Sequence, residues 1–259
     1  MLPETHFLNN AILAGLPREE TLRLLPHCES VSLACNDTLY REGQPIHYVY
    51  FPRTAMLSVL VMLTNGSVIE VAAIGSEGLL GIRTVLGGKR SDSTATVQVP
   101  GDCLRVRADV LVNEFERRGE LHRRLLHYMR YMVASISQSA ACNRVHLLEQ
   151  RLCRWLLVLY RRVRCDEFSI THETIAQRLG TPRSEVSIAA KFLQDRGIIR
   201  YHRGKMRIVD PALLESLACE CYRIVNREME NLVADLASEP VSTGSLRFPT
   251  YADTQTLIA

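Results

Sequence analysis

Hydrophobic positions between residues 28 and 107 alternate with polar ones in short runs bounded by turn residues. The apolar runs cover residues 29–35, 48–53, 55–63, 68–74, 94–99 and 102–107. Turn signals such as Asn65-Gly66 and Pro100-Gly101 separate them, and Asn-Gly tolerates the positive φ angles of a tight hairpin. Short strands at this spacing predict an antiparallel sandwich or barrel.

The periodicity becomes helical after residue 108. Apolar residues recur every three or four positions from Leu111 to Ile136, with Gly119 as an interruption. We expect a short helix followed by a long one from about Glu120. Two copies of this helix could pack along an approximate heptad seam of Leu125, Tyr128, Met132, Ile136 and Ser139. A helix buried in a monomer would show the same apolar stripe.

Two shorter helical patterns meet at Gly180. Thr171 is a good N-cap for the first, and Gly180 can adopt the left-handed conformation that ends it. The second helix restarts with Thr181 as cap and Pro182 at its first position, and its inward residues are Val186, Ala189, Ala190 and Leu193. This pattern predicts a helix-turn-helix, whose second helix reads the major groove, although ordinary helical hairpins also contain it.

A hairpin pattern follows the second helix and favours the DNA-binding interpretation. Ile198-Ile199 begin an extended run, and Arg203-Gly204-Lys205 turn it back toward Ile208. We expect a β-wing whose tip carries cations and hydrogen-bond donors, which suits contact with DNA phosphates.

These residues resemble the DNA-binding domain of Crp/Fnr-type bacterial transcription regulators. The resemblance rests on ITHETIAQRLGTPRSEVS and LQDRGII in the helix-turn-helix, and on LYREGQPIHYVY at residues 39–50. It covers roughly residues 20 to 210. It implies a homodimer with an N-terminal β-roll related to cyclic-nucleotide-binding domains and a long dimer helix.

The predicted fold class is therefore α+β, with four regions. Residues 1–115 form a cyclic-nucleotide-binding-like β-roll sensor domain, and residues 116–142 form the dimerisation helix. Residues 143–218 form a winged helix-turn-helix domain that begins with a helix over residues 143–164. Residues 219–259 form a helical extension, which we expect to pack against that domain, and a mobile tail.

The resemblance also implies roles for individual residues. Arg183 matches the family's guanine-reading arginine, whereas Ser184 and Ile188 stand where the best-known member has a glutamate and a second arginine. The DNA sequence recognised should therefore differ from that member's. The complete predicted DNA-binding set is Thr171, Thr181, Arg183, Ser184, Ser187, Ile188, Lys191, Tyr201, His202, Arg203 and Lys205.

The effector pocket implied by the resemblance lacks two key residues. Family members that bind cyclic nucleotides use a glutamate for the ribose and an arginine for the phosphate, but the corresponding positions here are Ile82 or Arg83 and Ser93. We place the pocket at Glu70, Arg83, Ser93 and Thr94. An enclosed phosphate needs a cation or aligned donors, so we predict that cyclic AMP is not the effector. We expect either that another small molecule is the effector or that the domain has no effector.

Charge is unevenly distributed along the chain. Residues 144–207 hold 14 Lys and Arg against 6 Asp and Glu, whereas residues 1–100 hold 7 against 9. Contact with double-stranded DNA is therefore expected in the helix-turn-helix region. A hydrophobic content of 47% and no long apolar run indicate a soluble protein without a membrane partner, and no secretory signal is recognisable, so we expect a cytoplasmic location.

Eight cysteines lie at positions 28, 35, 103, 142, 153, 165, 219 and 221. They include no C-x-x-C pair and no zinc-finger spacing with histidine. Some Crp/Fnr members hold an iron–sulfur cluster on closely spaced N-terminal cysteines, a run that Cys28 and Cys35 do not reproduce. We expect reduced structural thiols, no metal and no cofactor, with Cys219 and Cys221 as a candidate redox pair.

The predicted function is a homodimeric, sequence-specific DNA-binding regulator that also contacts RNA polymerase. The alternative is an effector-sensing or protein-interaction module whose helix-turn-helix no longer binds DNA. We find no nucleophile elbow, P-loop, H-E-x-x-H or Rossmann glycine pattern, so we do not expect an enzyme.

Overall fold

The computed structural model describes residues 9–163 and 167–237. Cys165 and the tail predicted beyond residue 237 lie outside the described residues. Within the two described ranges, no helix has the length and apolarity that a bilayer crossing requires.

Two antiparallel sheets form the N-terminal β-roll, with strand orders β1-β7-β3 and β2-β6-β4-β5. The strands are β1 (Cys28–Leu33), β2 (Thr38–Tyr40), β3 (Tyr48–Pro52), β4 (Met56–Met62), β5 (Val68–Ile74), β6 (Thr94–Val99) and β7 (Gly101–Arg107). Alternate residues of these strands, among them Phe51, Leu57, Val97 and Leu104, are fully buried in the core of the roll. All six predicted strand runs are confirmed, and β2 is the one the pattern missed.

Three helices frame the roll: α1 (Arg18–Leu24), α2 (Ala108–Glu116) and α3 (Glu120–Val145). The predicted break at Gly119 is confirmed. The buried carboxylate of Glu20 accepts hydrogen bonds from the backbone N–H groups of Glu120 and Leu121, at 2.7 and 2.8 Å. A carboxylate favours the positive end of a helix dipole, so α1 fixes the start of the long helix.

The C-terminal domain contains α4 (Leu148–Val163), β8 (Glu167–Ser169), α5 (His172–Leu179), α6 (Arg183–Asp195), β9 (Ile199–His202), β10 (Lys205–Ile208) and α7 (Pro211–Leu217). Its strands pair in the order β8-β10-β9. Its own core includes Leu156, Ile175, Leu193 and Met206. The first helix starts later than residue 143, because α3 continues to Val145 and His146 adopts an extended conformation before α4.

The last helix, α8 (Cys221–Ala237), packs mainly along α3 and not, as predicted, against the DNA-binding domain. Val225, Leu232 and Leu236 join the N-terminal core, and only Tyr222 reaches the C-terminal one. The guanidinium of Arg124 in α3 donates to the carbonyl of Leu236 at 2.5 Å, so α8 runs antiparallel to α3. The extension therefore ties both domains to the long helix.

Candidate nucleic-acid interface

A cap and a glycine define the helix-turn-helix. Thr171 Oγ1 accepts the N–H of Thr174 at 3.0 Å, and Gly180 takes the left-handed conformation with φ of 60°. The predicted cap of the second helix is wrong by one residue: Pro182 occupies the N-cap position of α6 without a side-chain capping hydrogen bond, and Thr181 Oγ1 donates to Glu185 Oε2 at 2.6 Å. Pro182 has no N–H, but no intrahelical hydrogen bond requires one at this position before the first helical residue.

The second helix, α6, has one buried face and one exposed face. The predicted inward residues Val186, Ala189, Ala190 and Leu193 are all buried. Arg183, Ser184, Ile188 and Lys191 are exposed, and Ile188 keeps 67% of its surface accessible. Ser187 is half-buried, because its hydroxyl donates to the Arg183 carbonyl at 3.1 Å and lies 3.0 Å from His172 Nδ1.

The predicted wing is the hairpin of β9 and β10, and it lies beside the first turn of α6. Arg203 and Gly204 both have positive φ, which a two-residue hairpin turn requires. The Tyr201 ring stacks on His172 with 4.2 Å between centroids. A cleft of about 440 Å³ opens between wing and helices, lined by Thr171, His172, Glu173, Arg183, Tyr201, Arg203 and Gly204.

The cleft has a positive rim. Among the described residues, no carboxylate lies within salt-bridge distance of Arg183, Lys191 or Arg203, whereas Lys205 lies 3.8 Å from Glu167. Burial and the cation of Arg183 lower the pKa of His172 from its usual 6.5. Unpaired arginines beside hydrogen-bonding donors can meet phosphates and the edges of bases.

The structure thus brings Thr171, Arg183, Tyr201 and Arg203 of the predicted set to one cleft, with His202 and Lys205 exposed on the wing beside it. Sequence reasoning missed His172 in this cleft and two arginines on the other face of the wing. His172 supports Tyr201 and Ser187, and exposed Arg200 and Arg207 are register partners across the wing, lining a second cleft of about 320 Å³. The sequence signal that could have identified Arg200 is its alternation with His202 along β9, because residues two apart on a strand share a face.

The opposite side of the DNA-binding domain contacts the β-roll through Glu70. Its carboxylate accepts the indole N–H of Trp155 at 3.0 Å and the hydroxyl of Ser58 at 2.5 Å, and lies 3.7 Å from the Arg178 guanidinium. Glu70 and Arg178 each expose only 7% of their side chains. Glu70, which we predicted to line an effector pocket, thus places its carboxylate at the boundary with the neighbouring domain, and its part in effector binding stays a prediction.

Two further contacts hold the same boundary. Arg162 Nη2 donates to Glu77 Oε1 at 2.6 Å, with both side chains largely buried. A Cβ at Gly180 would lie 2.9 Å from Ile69 of β5, so the turn of the helix-turn-helix needs glycine both for its conformation and for this close approach.

The remaining predicted pocket residues lie beside a carboxylate or face away from the core of the roll, and their part in effector binding stays a prediction. Arg83 is exposed and pairs with Asp92, and Ser93 Oγ lies 3.3 Å from Asp92 Oδ1. Thr94 alternates with buried Ala95 on β6 and so faces away from the core of the roll. The only cation among the four positions is therefore already neutralised by a carboxylate.

The exposed apolar face of α3 shares Ile136 with the predicted seam and is otherwise shifted from it by one position. Leu125 and Tyr128 are buried in their own chain, where Tyr128 Oη donates to the Leu79 carbonyl at 3.1 Å, and Met132 packs on the same core. Leu125 and Tyr128 are therefore not available to a second copy, whereas Met132 is only half-buried. The exposed or half-exposed stripe has true heptad spacing and consists of Leu126, Met129, Val133, Ile136 and Ala140.

The cysteine pair at 219 and 221 does not stand alone. Cys142 Sγ lies 3.5 Å from Cys219 Sγ, and His146 Nδ1 lies 3.5 Å from Cys221 Sγ. Together these four residues are the only group of three or more potential metal ligands found among residues 9–163 and 167–237.

Comparison with protein families gives two matches that together span most of the fold. The cyclic nucleotide-binding domain family matches residues 30–118, and the Crp-like helix-turn-helix domain family matches residues 150–217. The global nitrogen regulator of Nostoc sp. is 22% identical over 188 residues, which cover 69% of this chain and 84% of that protein.

Solved structures share the same architecture. A transcriptional regulator of the Crp/Fnr family from Eubacterium rectale has a TM-score of 0.66 at 16% identity, covering 78% of this chain and 94% of that one. FixK2 from Bradyrhizobium japonicum has a TM-score of 0.64 at 17% identity, covering 74% and 98%. At these identities the likeness concerns the fold.

Proposed function

The chain belongs to the Crp/Fnr family of transcription regulators, and we propose that it binds specific double-stranded DNA as a homodimer without cyclic AMP as its effector. One observation carries the DNA-binding part of this proposal. The polar face of α6 is exposed beside the wing, and the cations Arg183, Lys191 and Arg203 have no carboxylate partner among the described residues. Such cations can replace the counterions of DNA phosphates.

Arg183 is the proposed base reader. It begins α6, where a guanidinium fork can approach O6 and N7 of guanine in the major groove. Ser184 and Ile188 share the exposed face and favour a hydroxyl contact and an apolar contact, such as a thymine methyl. Thr171, Thr181, Ser187, Tyr201, His202 and Lys205 complete the proposed surface as phosphate contacts or supports.

Dimerisation is proposed through the exposed stripe of α3. Val133 and Ile136 expose 66% and 42% of their surfaces, and Leu126 exposes 47%. Apolar residues at heptad spacing on a long helix are stabilised when a second copy covers them. A two-fold pair would also present two α6 helices to half-sites about 34–36 Å apart.

The absence of cyclic AMP control is supported by the neighbourhood of Ser93. Asp92 places a carboxylate beside Arg83 and Ser93, which disfavours a phosphate unless that carboxylate is displaced. Titration calorimetry with cyclic AMP should show no binding at micromolar concentrations. Affinity at or below the micromolar range would refute this part of the proposal.

Selection of bound sites from random duplexes, followed by gel shifts at several salt concentrations, tests the central proposal. We expect a two-fold symmetric site and an affinity that falls steeply as salt rises. Failure to shift any duplex would favour the alternative, a sensing or interaction module without DNA binding.

Sedimentation of variants tests the dimer separately. Val133→Glu should give monomers and weaken operator binding, whereas Leu86→Glu, at an equally exposed position of the β-roll, should change neither. A dimer that survives Val133→Glu would contradict the proposed seam.

Binding to chromosomal DNA also requires a cytoplasmic location, with RNA polymerase as the partner through which transcription changes.

A further inference from the structure

Four potential metal ligands from two distant segments of the chain converge beside the link between the two domains. Cys142 lies near the end of α3, His146 lies in the link to α4, and Cys219 and Cys221 flank the start of α8. Their ligand atoms, three sulfurs and one imidazole nitrogen, all lie within 4.8 Å of one another. The three cysteines form a buried cluster of their own, apart from both hydrophobic cores.

We propose that Cys142, His146, Cys219 and Cys221 bind a single Zn²⁺ ion in a tetrahedral site. Zinc binds thiolates at about 2.3 Å and imidazole at about 2.0–2.1 Å, so a tetrahedron has sulfur–sulfur edges of about 3.8 Å and sulfur–nitrogen edges of about 3.5 Å. The Cys221–His146 distance of 3.5 Å equals the sulfur–nitrogen edge, and the Cys142–Cys219 distance of 3.5 Å is slightly shorter than the sulfur–sulfur edge.

The chemistry of the ligands selects the class of metal. Three soft thiolates and one imidazole, without an oxygen ligand, suit Zn²⁺ and disfavour Mg²⁺ or Ca²⁺. An iron–sulfur cluster would place several iron and sulfide atoms between its cysteines and hold them farther apart. A disulfide between Cys142 and Cys219 would leave the convergence of Cys221 and His146 unexplained.

Neighbouring side chains support these ligands in the way that metal sites require. His146 Nε2 lies 3.2 Å from Glu220 Oε2, so the carboxylate can hold the ring with Nδ1 toward the cysteines. Gln138 Nε2 lies 3.0 Å from Cys221 Sγ and can donate to a thiolate. The cations of Arg151 and Arg154 act electrostatically on Cys142 and offset the net negative charge of three thiolates around Zn²⁺.

The position of the site indicates what the ion would do. It would join the end of α3 and the link that follows it to the start of α8, two segments that meet only in the folded chain. Metal binding to such a closed, four-ligand site contributes directly to the stability of the folded state. This inference needs no DNA and is tested without it, so it can fail independently of the proposed function.

Cobalt substitution of the full chain is the direct test. The chain is purified anaerobically with reductant, its zinc content is measured by mass spectrometry, and the chelator-stripped form is titrated with Co²⁺. We expect one equivalent of metal, visible bands of tetrahedral Co²⁺ and a thiolate-to-cobalt charge-transfer band that Zn²⁺ abolishes. Absence of stoichiometric metal, or an octahedral cobalt spectrum, overturns the proposal.

Variants identify the ligands. Cys219→Ser, Cys221→Ser and His146→Asn should each weaken metal binding strongly and change the cobalt spectrum, and Glu220→Gln should weaken it by about 10–100-fold. Cys35→Ser, at an exposed cysteine outside the cluster, is the matched control and should bind normally. An unchanged cobalt spectrum in Cys219→Ser and Cys221→Ser overturns the proposal, as does a chain that only forms a Cys142–Cys219 disulfide. The spectrum of the unmodified chain decides the matter if a variant does not fold.

Discussion

Two faces of the DNA-binding domain use arginine in opposite ways. On the side of the β-roll, Arg162 and Arg178 are largely buried and each lies beside a glutamate, Glu77 and Glu70. On the opposite side, Arg183 of the recognition helix is exposed, and among the described residues no carboxylate lies within salt-bridge distance of it.

The difference follows from the cost of moving a charge out of water. A buried guanidinium must be paired, so it serves to join two parts of the protein and is unavailable for other partners. An exposed, unpaired guanidinium keeps its hydration until a phosphate or a base replaces it. Arginine count alone therefore does not identify the arginines available to DNA, and pairing and exposure must be considered together.

The largest expected effect comes from breaking a buried pair. Arg162→Met leaves the Glu77 carboxylate buried without its cation and should lower the free energy of unfolding by about 3–5 kcal/mol, measured by urea denaturation. Arg161→Met is the matched control on the same helix. It breaks an exposed pair with Glu215 and should cost about 0–1 kcal/mol.

A compensating variant sharpens this test. Arg162→Met combined with Glu77→Gln removes both charges and should recover much of the lost stability. If the double variant is as unstable as the single one, the loss comes from packing and the contrast between the two faces is weaker than stated.

A substitution on the exposed face of α6 should change the affinity for DNA and leave the free energy of unfolding unchanged. Arg183→Ala should cost about 1–3 kcal/mol of binding to the selected site and relax discrimination at one base pair, with unfolding unchanged. Competition between duplexes that differ at single positions measures this. Normal affinity and discrimination in Arg183→Ala would show that another residue reads the base.

Two substitutions in the wing test whether pairing with a carboxylate also matters for exposed cations. Arg203→Asn removes an unpaired cation while keeping a residue that tolerates positive φ, and should lower the slope of log affinity against log salt by about 0.9 for one phosphate contact. Lys205→Ala should lower it less, because Glu167 already lies 3.8 Å from the amine. Equal slope changes would contradict the role assigned to pairing.

The smallest effect concerns pH. The pKa of His172 in the folded chain lies below its usual 6.5 because of burial and the cation of Arg183, so the neutral ring is favoured. Its contribution to stability is complete above pH 6.5 and is lost as pH falls through the lower folded-state pKa. Unfolding measured across this range should depend less on pH in His172→Gln than in the unmodified chain, and equal dependence would exclude His172 as the cause.

Local patterns predicted much of this fold. The six strand runs, the break before the long helix and the helix–turn–helix–wing order were readable because alternation, helical periodicity and positive-φ residues act over a few neighbouring positions. The same patterns misplaced features that depend on a partner. The seam on α3 was assigned to Leu125 and Tyr128, since a helical stripe does not reveal whether the β-roll or a second chain covers it.

The sequence by itself thus determined most of the elements, their order and the basic segment that carries α6. Only the tertiary structure decided that Glu70 serves the boundary between domains and that Cys142 and His146 lie beside Cys219 and Cys221. The physical reason is the distance along the chain over which each kind of interaction acts. Secondary structure follows from interactions within a few residues, whereas ion pairs and ligand clusters depend on where distant segments of the chain meet.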